Sequence, residues 1–150
     1  MEDFHTEPDA TTVDFSHEIV DAKRVRLEFE YYIGESTDHQ LFLAFNGDED
    51  DDGNDNYEFL LENDTGPGDV QNGDELMVAD ARRFRSVFGY VEFQTDVRRP
   101  SIIANVSNDP GRETLKEGWY EGSDIETVRL WIDEDSTDLD NLQIRLKKVW

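Results

Sequence analysis

The densest run of potential ligands in the chain is Asp48-Glu49-Asp50-Asp51-Asp52-Gly53-Asn54-Asp55-Asn56. Asp48, Asp50, Asp52, Gly53 and Asn54 occupy the first, third, fifth, sixth and seventh places of a calcium-loop pattern. Hard cations such as Ca2+ or Mg2+ are held by several oxygens at close range, which these side chains supply. The twelfth place, which calls for a bidentate Glu, is Phe59, and no helix is expected on either side. Two readings stay open: a Ca2+ or Mg2+ site on Asp48, Asp50, Asp52 and Asn54, or a solvated acidic loop that exchanges salt cations.

Aromatic residues form the second group. Val128, Leu130 and Ile132 share one face of an alternating run, which turns Trp131 to the other face. An outward Trp suits a subunit contact or a platform for a sugar ring. Trp119 and Tyr120 flank a turn and could act in the same way, and Trp150 ends the chain where it could dock on a partner. Local packing is the competing reading for each. Three basic islands, Arg82-Arg83-Phe84-Arg85, Arg98-Arg99-Pro100 and Arg145-Leu146-Lys147-Lys148, interrupt an otherwise acidic chain. They fit either docking onto an acidic neighbour, such as another copy, or ion pairs within the domain.

Catalytic chemistry is not signalled. With 37 Asp and Glu residues, a carboxylate pair at glycosidase separation arises by chance, so such pairing carries no weight. His5, His17 and His39 share no spacing that suggests a metal site or a triad. No nucleophile elbow, phosphate-cradling loop or dinucleotide fingerprint is present. No enzyme and no organic cofactor are expected, and a polysaccharide hydrolase ranks behind the binding readings.

Charge sets the setting in which any site must work. Lys and Arg number 14 against the 37 acids, giving a net charge of -23 and a pI near 4.2. That excess repels nucleic-acid phosphates and anionic lipid surfaces. In dilute buffer it also drives the compact state apart, whereas in molar salt the Debye length falls to roughly 3 Å and the repulsion is screened. Disorder is the usual companion of such acidity, yet aromatics make up 11% and hydrophobics 36% of the chain, and they fall in alternating runs. A folded domain with an acidic, salt-adapted skin follows, with a haloarchaeon or a virus of one as the source. Absence of cysteine removes disulfides and thiolate chemistry. The start resembles no signal peptide, and the longest apolar run, Leu41 to Phe45, is far too short for a helical membrane span.

The elements that must position these groups are strands. Arg24 to Tyr31 places Val25, Leu27, Phe29 and Tyr31 on one face and charges on the other. Similar runs cover Gln40 to Phe45, Tyr57 to Leu61, Leu76 to Ala79, Val87 to Gln94, Ser101 to Val106, Ile125 to Ile132 and Leu142 to Val149. Turn signals separate them at Asn46-Gly47, Gly66-Pro67-Gly68, Asn72-Gly73-Asp74, Asp109-Pro110-Gly111 and Glu121-Gly122-Ser123. At 150 residues a single domain is expected. Eight or more short antiparallel strands predict an all-β domain, a jelly roll or β-sandwich, over residues 13–150, with an extended N-terminal arm over 1–12.

The segment Leu41-Phe42-Leu43-Ala44-Phe45-Asn46-Gly47-Asp48, followed by Asn56-Tyr57, resembles a strand-and-turn signature of jelly-roll structural proteins from tailed viruses. There a strand ends in Phe-Asn-Gly-Asp and a Tyr opens the next strand. The order of strands around it is also similar, including the aromatic turn at Gly118-Trp119-Tyr120. The acidic insert Glu49 to Asp55 and the ending Leu146-Lys147-Lys148-Val149 depart from the pattern. The resemblance implies a non-enzymatic virion surface component, in a head turret or decoration, tail fibre or baseplate, assembled in the host cytoplasm. It also implies partners: other copies of the chain, as a trimer, pentamer or hexamer, other virion proteins, and a host surface glycan. A carbohydrate-binding module is the alternative.

Overall fold

Inward-facing apolar residues at every second position recur on strand after strand, and they fix which face of each strand is buried. The computed structural model describes residues 2–7, 12–15, 22–33, 39–47, 56–81, 86–122, 124–132 and 139–149. They form twelve strands: β1 (Glu2–Glu7), β2 (Thr12–Phe15), β3 (Arg24–Ile33), β4 (His39–Phe45), β5 (Tyr57–Asn63), β6 (Gly66–Gly73), β7 (Leu76–Ala81), β8 (Ser86–Gln94), β9 (Ser101–Ser107), β10 (Thr114–Tyr120), β11 (Val128–Ile132) and β12 (Leu139–Val149). Every pairing among them is antiparallel. Among the described residues there is no helix, and the expected all-β sandwich class is the one observed.

The hydrogen-bonded path runs β1-β12-β3-β8-β9-β10-β7-β4-β11-β2, with β5 and β6 branching from β10. The branch divides it into two layers. A front layer follows β1-β12-β3-β8-β9-β10-β5-β6, and a back layer follows β7-β4-β11-β2. Between them the ladder narrows to one register pair, Thr114 with Ala79, beside the bond from the Asp80 amide to the Glu113 carbonyl (3.0 Å). The layers fold over each other there. Phe45 on β4 and Phe93 on β8, separated along the path by β9, β10 and β7, have ring centroids 4.8 Å apart.

The core fills the space between the layers. Val25, Leu27, Val91 and Phe93 of the front layer and Leu41, Leu43, Val128 and Leu130 of the back layer are almost wholly buried. Burying a side chain of this kind contributes about 1.5–3 kcal/mol. Phe45 sits at the centre, with Tyr57 (6.2 Å) and Tyr120 (5.4 Å) around it as well as Phe93. A Cβ on Gly89 of β8 would lie 2.7 Å from Val106 Cα, so these two strands meet more closely than any side chain at that position would allow.

Several elements depart from the sequence reading. β6 covers both Gly66-Pro67-Gly68 and the Asn72-Gly73 part of the next turn signal; it pairs with β5 from Asn63↔Gly66 to Tyr57↔Gly73. It carries little apolar pattern and is held by backbone pairing, and the turns fall at Asp64-Thr65 and Asp74-Glu75. β10 carries a bulge between Leu115 and Glu117, which moves its next inward residues to Gly118 and Tyr120 and hides the period of two. Ile125 to Thr127 lies outside β11. Within the arm expected at 1–12, Glu2–Glu7 is β1, paired with β12, and Thr12 opens β2, paired with β11. The chain therefore reaches one edge of each layer within its first fifteen residues.

Candidate interaction surfaces

The Phe-Asn-Gly turn is a latch. Asn46 and Gly47 both have positive φ, 56° and 67°, the left-handed region that Asn and Gly tolerate better than other residues. Asn46 Oδ1 accepts from the amides of Glu126 (2.7 Å) and Thr127 (3.2 Å), and its Nδ2 donates to the Asp124 carbonyl (2.8 Å). The Asn46 amide donates to the Thr127 carbonyl at 3.0 Å. Asn46 thus takes up the backbone groups of the segment leading into β11, which explains why that strand begins at Val128. Tyr57, the first residue of β5, accepts a hydrogen bond from the Phe45 amide at 2.8 Å. These residues shape the fold.

Asp48, Asp50, Asp52 and Asn54 lie outside the described residues, as do Arg82, Arg83, Arg85 and Trp150. Among the described residues no group of three or more His, Cys, Asp or Glu is placed to hold a metal ion. Arg99 and Arg98 are both exposed, and Arg99 Nε pairs with Glu121 Oε1 at 2.7 Å. For Arg99 the ion pair within the domain is the observed arrangement.

The three aromatics considered for stacking are dispersed. Tyr120, expected beside Trp119 on a ligand platform, instead points inward: it is 3% exposed and stacks on Tyr57 at 5.1 Å. The bulge in β10 sets its direction. Trp119 is half-buried on the outer face of the front layer, in a cross-strand row with Ser101 and Glu58. Trp131 is half-buried on the outer face of the back layer, where it stacks on its register partner Phe42 with centroids 5.6 Å apart. Phe42 in turn borders a cleft of about 320 Å³ lined also by Gln71, Asp74, Glu75 and Met77. Phe42 lies inside the quoted strand, but a second outward aromatic opposite Trp131 requires the β4–β11 register to be known.

A further surface was not singled out from the sequence. Val70, Phe88 and Ile103 are exposed by 56%, 54% and 51%, and all three face outward from the front layer. Tyr90, Leu60 and Trp119 lie half-buried on the same face. Scattered exposed apolar residues are ordinary, whereas several on one sheet face mark a contact surface. The signal was present in β8, where inward Val87, Val91 and Phe93 oblige Phe88 and Tyr90 to face out.

Charges on this face are organised. Glu92, 6% exposed, pairs with Arg26 Nη2 at 2.8 Å and with Arg24 Nε at 3.3 Å. Arg26 also lies over the Tyr90 ring, 4.1 Å from its centroid. The hydrogen bond to Glu92, opposed by partial desolvation, holds the Arg26 guanidinium above its ordinary pKa. β9 carries no charged residue from Ser101 to Ser107.

No family model matches the sequence, and no curated protein matches it. A solved structure of a congerin II double mutant aligns over 97% of this chain and 100% of that one, at 9% identity and a TM-score of 0.32.

Proposed function

We propose that this chain is a non-enzymatic structural subunit on the virion surface of a tailed virus that infects a halophilic archaeon, where it assembles as an oligomer in a head decoration, tail fibre or baseplate. The observation that carries this reading is the set of exposed apolar residues on the outer face of the front layer of a chain of net charge -23. A salt-adapted protein that keeps its surface acidic but leaves Phe88, Ile103 and Val70 open on one face is suited to partnership with other protein. The Phe45-Asn46-Gly47 latch with Tyr57 supports it through the resemblance to virion jelly rolls. Antibodies raised against the purified chain should label the surface of intact particles. Particles that remain unlabelled, and that lack the chain by mass spectrometry, overturn the reading.

A second reading is a carbohydrate-binding module, favoured by the Trp131–Phe42 stack beside the cleft lined by Gln71, Asp74 and Glu75. An aromatic ledge would hold the apolar face of a sugar ring while carboxylates and an amide bond its hydroxyls. A glycan array in high salt tests it: Trp131→Ala abolishes any signal if the ledge is the site. An unchanged signal dismisses the ledge.

A further inference from the structure

We infer that the outer face of β3, β8 and β9 is an isologous contact, docking onto the same face of a second copy of this chain. This deepens the assembly reading and rests on it, by naming the surface and the partner.

The charge order along β3 selects the partner. Val25, Leu27 and Phe29 point into the core, so Arg24, Arg26, Glu28 and Glu30 stand on the outer face in that order. Two positive residues followed by two negative ones are self-complementary when the strand meets a second copy running the opposite way. A two-fold axis between Arg26 and Glu28, lying in the plane of the contact, sets Arg26 against Glu28 and Arg24 against Glu30 of the other copy. Few surfaces on a chain this acidic can face themselves without placing carboxylate on carboxylate. This one can, because its acidic and basic residues occupy opposite halves of one strand.

The neighbouring strands supply the apolar part. Register places Glu28 beside Tyr90 and Glu30 beside Phe88, and Tyr90 beside Asn105 and Glu92 beside Ile103. Glu92 shares the two arginines with the facing Glu28 and Glu30, so each copy brings two positive and three negative side chains to the contact, and no other residue on the β8–β9 outer face is charged. Sheet faces pack about 10 Å apart, and the same axis sets Phe88 over Gln94, Tyr90 over Glu92 and Ile103 over Asn105 of the other copy, which covers the exposed apolar side chains. Molar salt screens the repulsion between the two remaining acidic surfaces, while charge pairs inside a closed contact are screened less. An isologous contact closes at two copies, and a hexamer would join three such pairs through a second, different contact.

Sedimentation equilibrium of the full chain in concentrated KCl tests the contact. Phe88→Asp and Ile103→Asp should each weaken self-association by roughly 30-fold or more, as expected for central anchors. Glu30→Arg, an exposed change that leaves the apolar residues in place, should weaken it as well. Val70→Asp, equally exposed but on β6, should leave it unchanged, and near-UV circular dichroism should show the wild-type fold in all four. A monomeric wild type, or variants at Phe88, Ile103 and Glu30 that associate as the wild type does, overturns the contact. So does an equal loss with Val70→Asp. The last two results leave the virion reading standing, since particle labelling decides it separately.

Discussion

The hydroxyl of Tyr57 accepts a hydrogen bond from the backbone amide of Phe45 at 2.8 Å, joining the first residue of β5 to the last residue of β4 across the acidic loop. Both side chains are completely buried. The bond ties the end of β4 to the start of β5 and satisfies a buried amide. Tyr57→Phe keeps the ring packing and removes the acceptor, so it should cost about 1–3 kcal/mol, the penalty of an unsatisfied buried amide. Denaturant unfolding at fixed salt checks this.

Asn46 allows its two roles to be separated. Asn46→Gly keeps the positive φ and loses the side-chain bonds to Glu126, Thr127 and Asp124. Asn46→Asp keeps the acceptor and loses only the Nδ2 donor. Asn46→Ala loses the bonds and also adds a left-handed backbone cost of about 1–2 kcal/mol. Stability should therefore fall in the order Asn46→Asp, Asn46→Gly, Asn46→Ala, with alanine the lowest, as read from denaturant midpoints.

The buried carboxylate of Glu92 sets an asymmetry. Glu92→Gln leaves Arg24 and Arg26 with access to water, since their side chains are 43% and 32% exposed. Arg26→Ala leaves a nearly buried carboxylate with one arginine and should cost more, about 2–4 kcal/mol. Comparing thermal midpoints of the two variants gives the order directly.

Gly89→Ala should destabilise by about 3 kcal/mol or more, because the added methyl meets the backbone of β9 and cannot be relieved by a rotamer change. The neighbouring exposed change Ser86→Ala is the control and should stay within about 0.5 kcal/mol. Urea titrations of both measure the difference.

Legibility followed the physics of alternation. β3, β4, β5, β8 and β9 could be read because the apolar residues on their inner faces recur at every second position, as in Leu41, Leu43 and Phe45 of β4 or Ile102, Ala104 and Val106 of β9, and the Asn46-Gly47 turn because its residue types tolerate positive φ. β10 was hidden by its bulge, and β6 by having almost no apolar residues, since its partner's backbone holds it. Tyr120 was misdirected for the first of these reasons. The front-layer contact surface needed the register between strands, because Phe88, Ile103 and the charges of β3 become one face only once β3, β8 and β9 lie side by side.

Self-association in salt is the central claim, and light scattering coupled to size exclusion tests it most directly, at about 3 M KCl and again near 0.15 M, where the Debye length grows from below 3 Å to roughly 8 Å. The expected result is an even multiple of the 17.4 kDa chain in high salt, which lightens as the salt is withdrawn and acidic surfaces repel. A single 17.4 kDa species at both salt concentrations would contradict it.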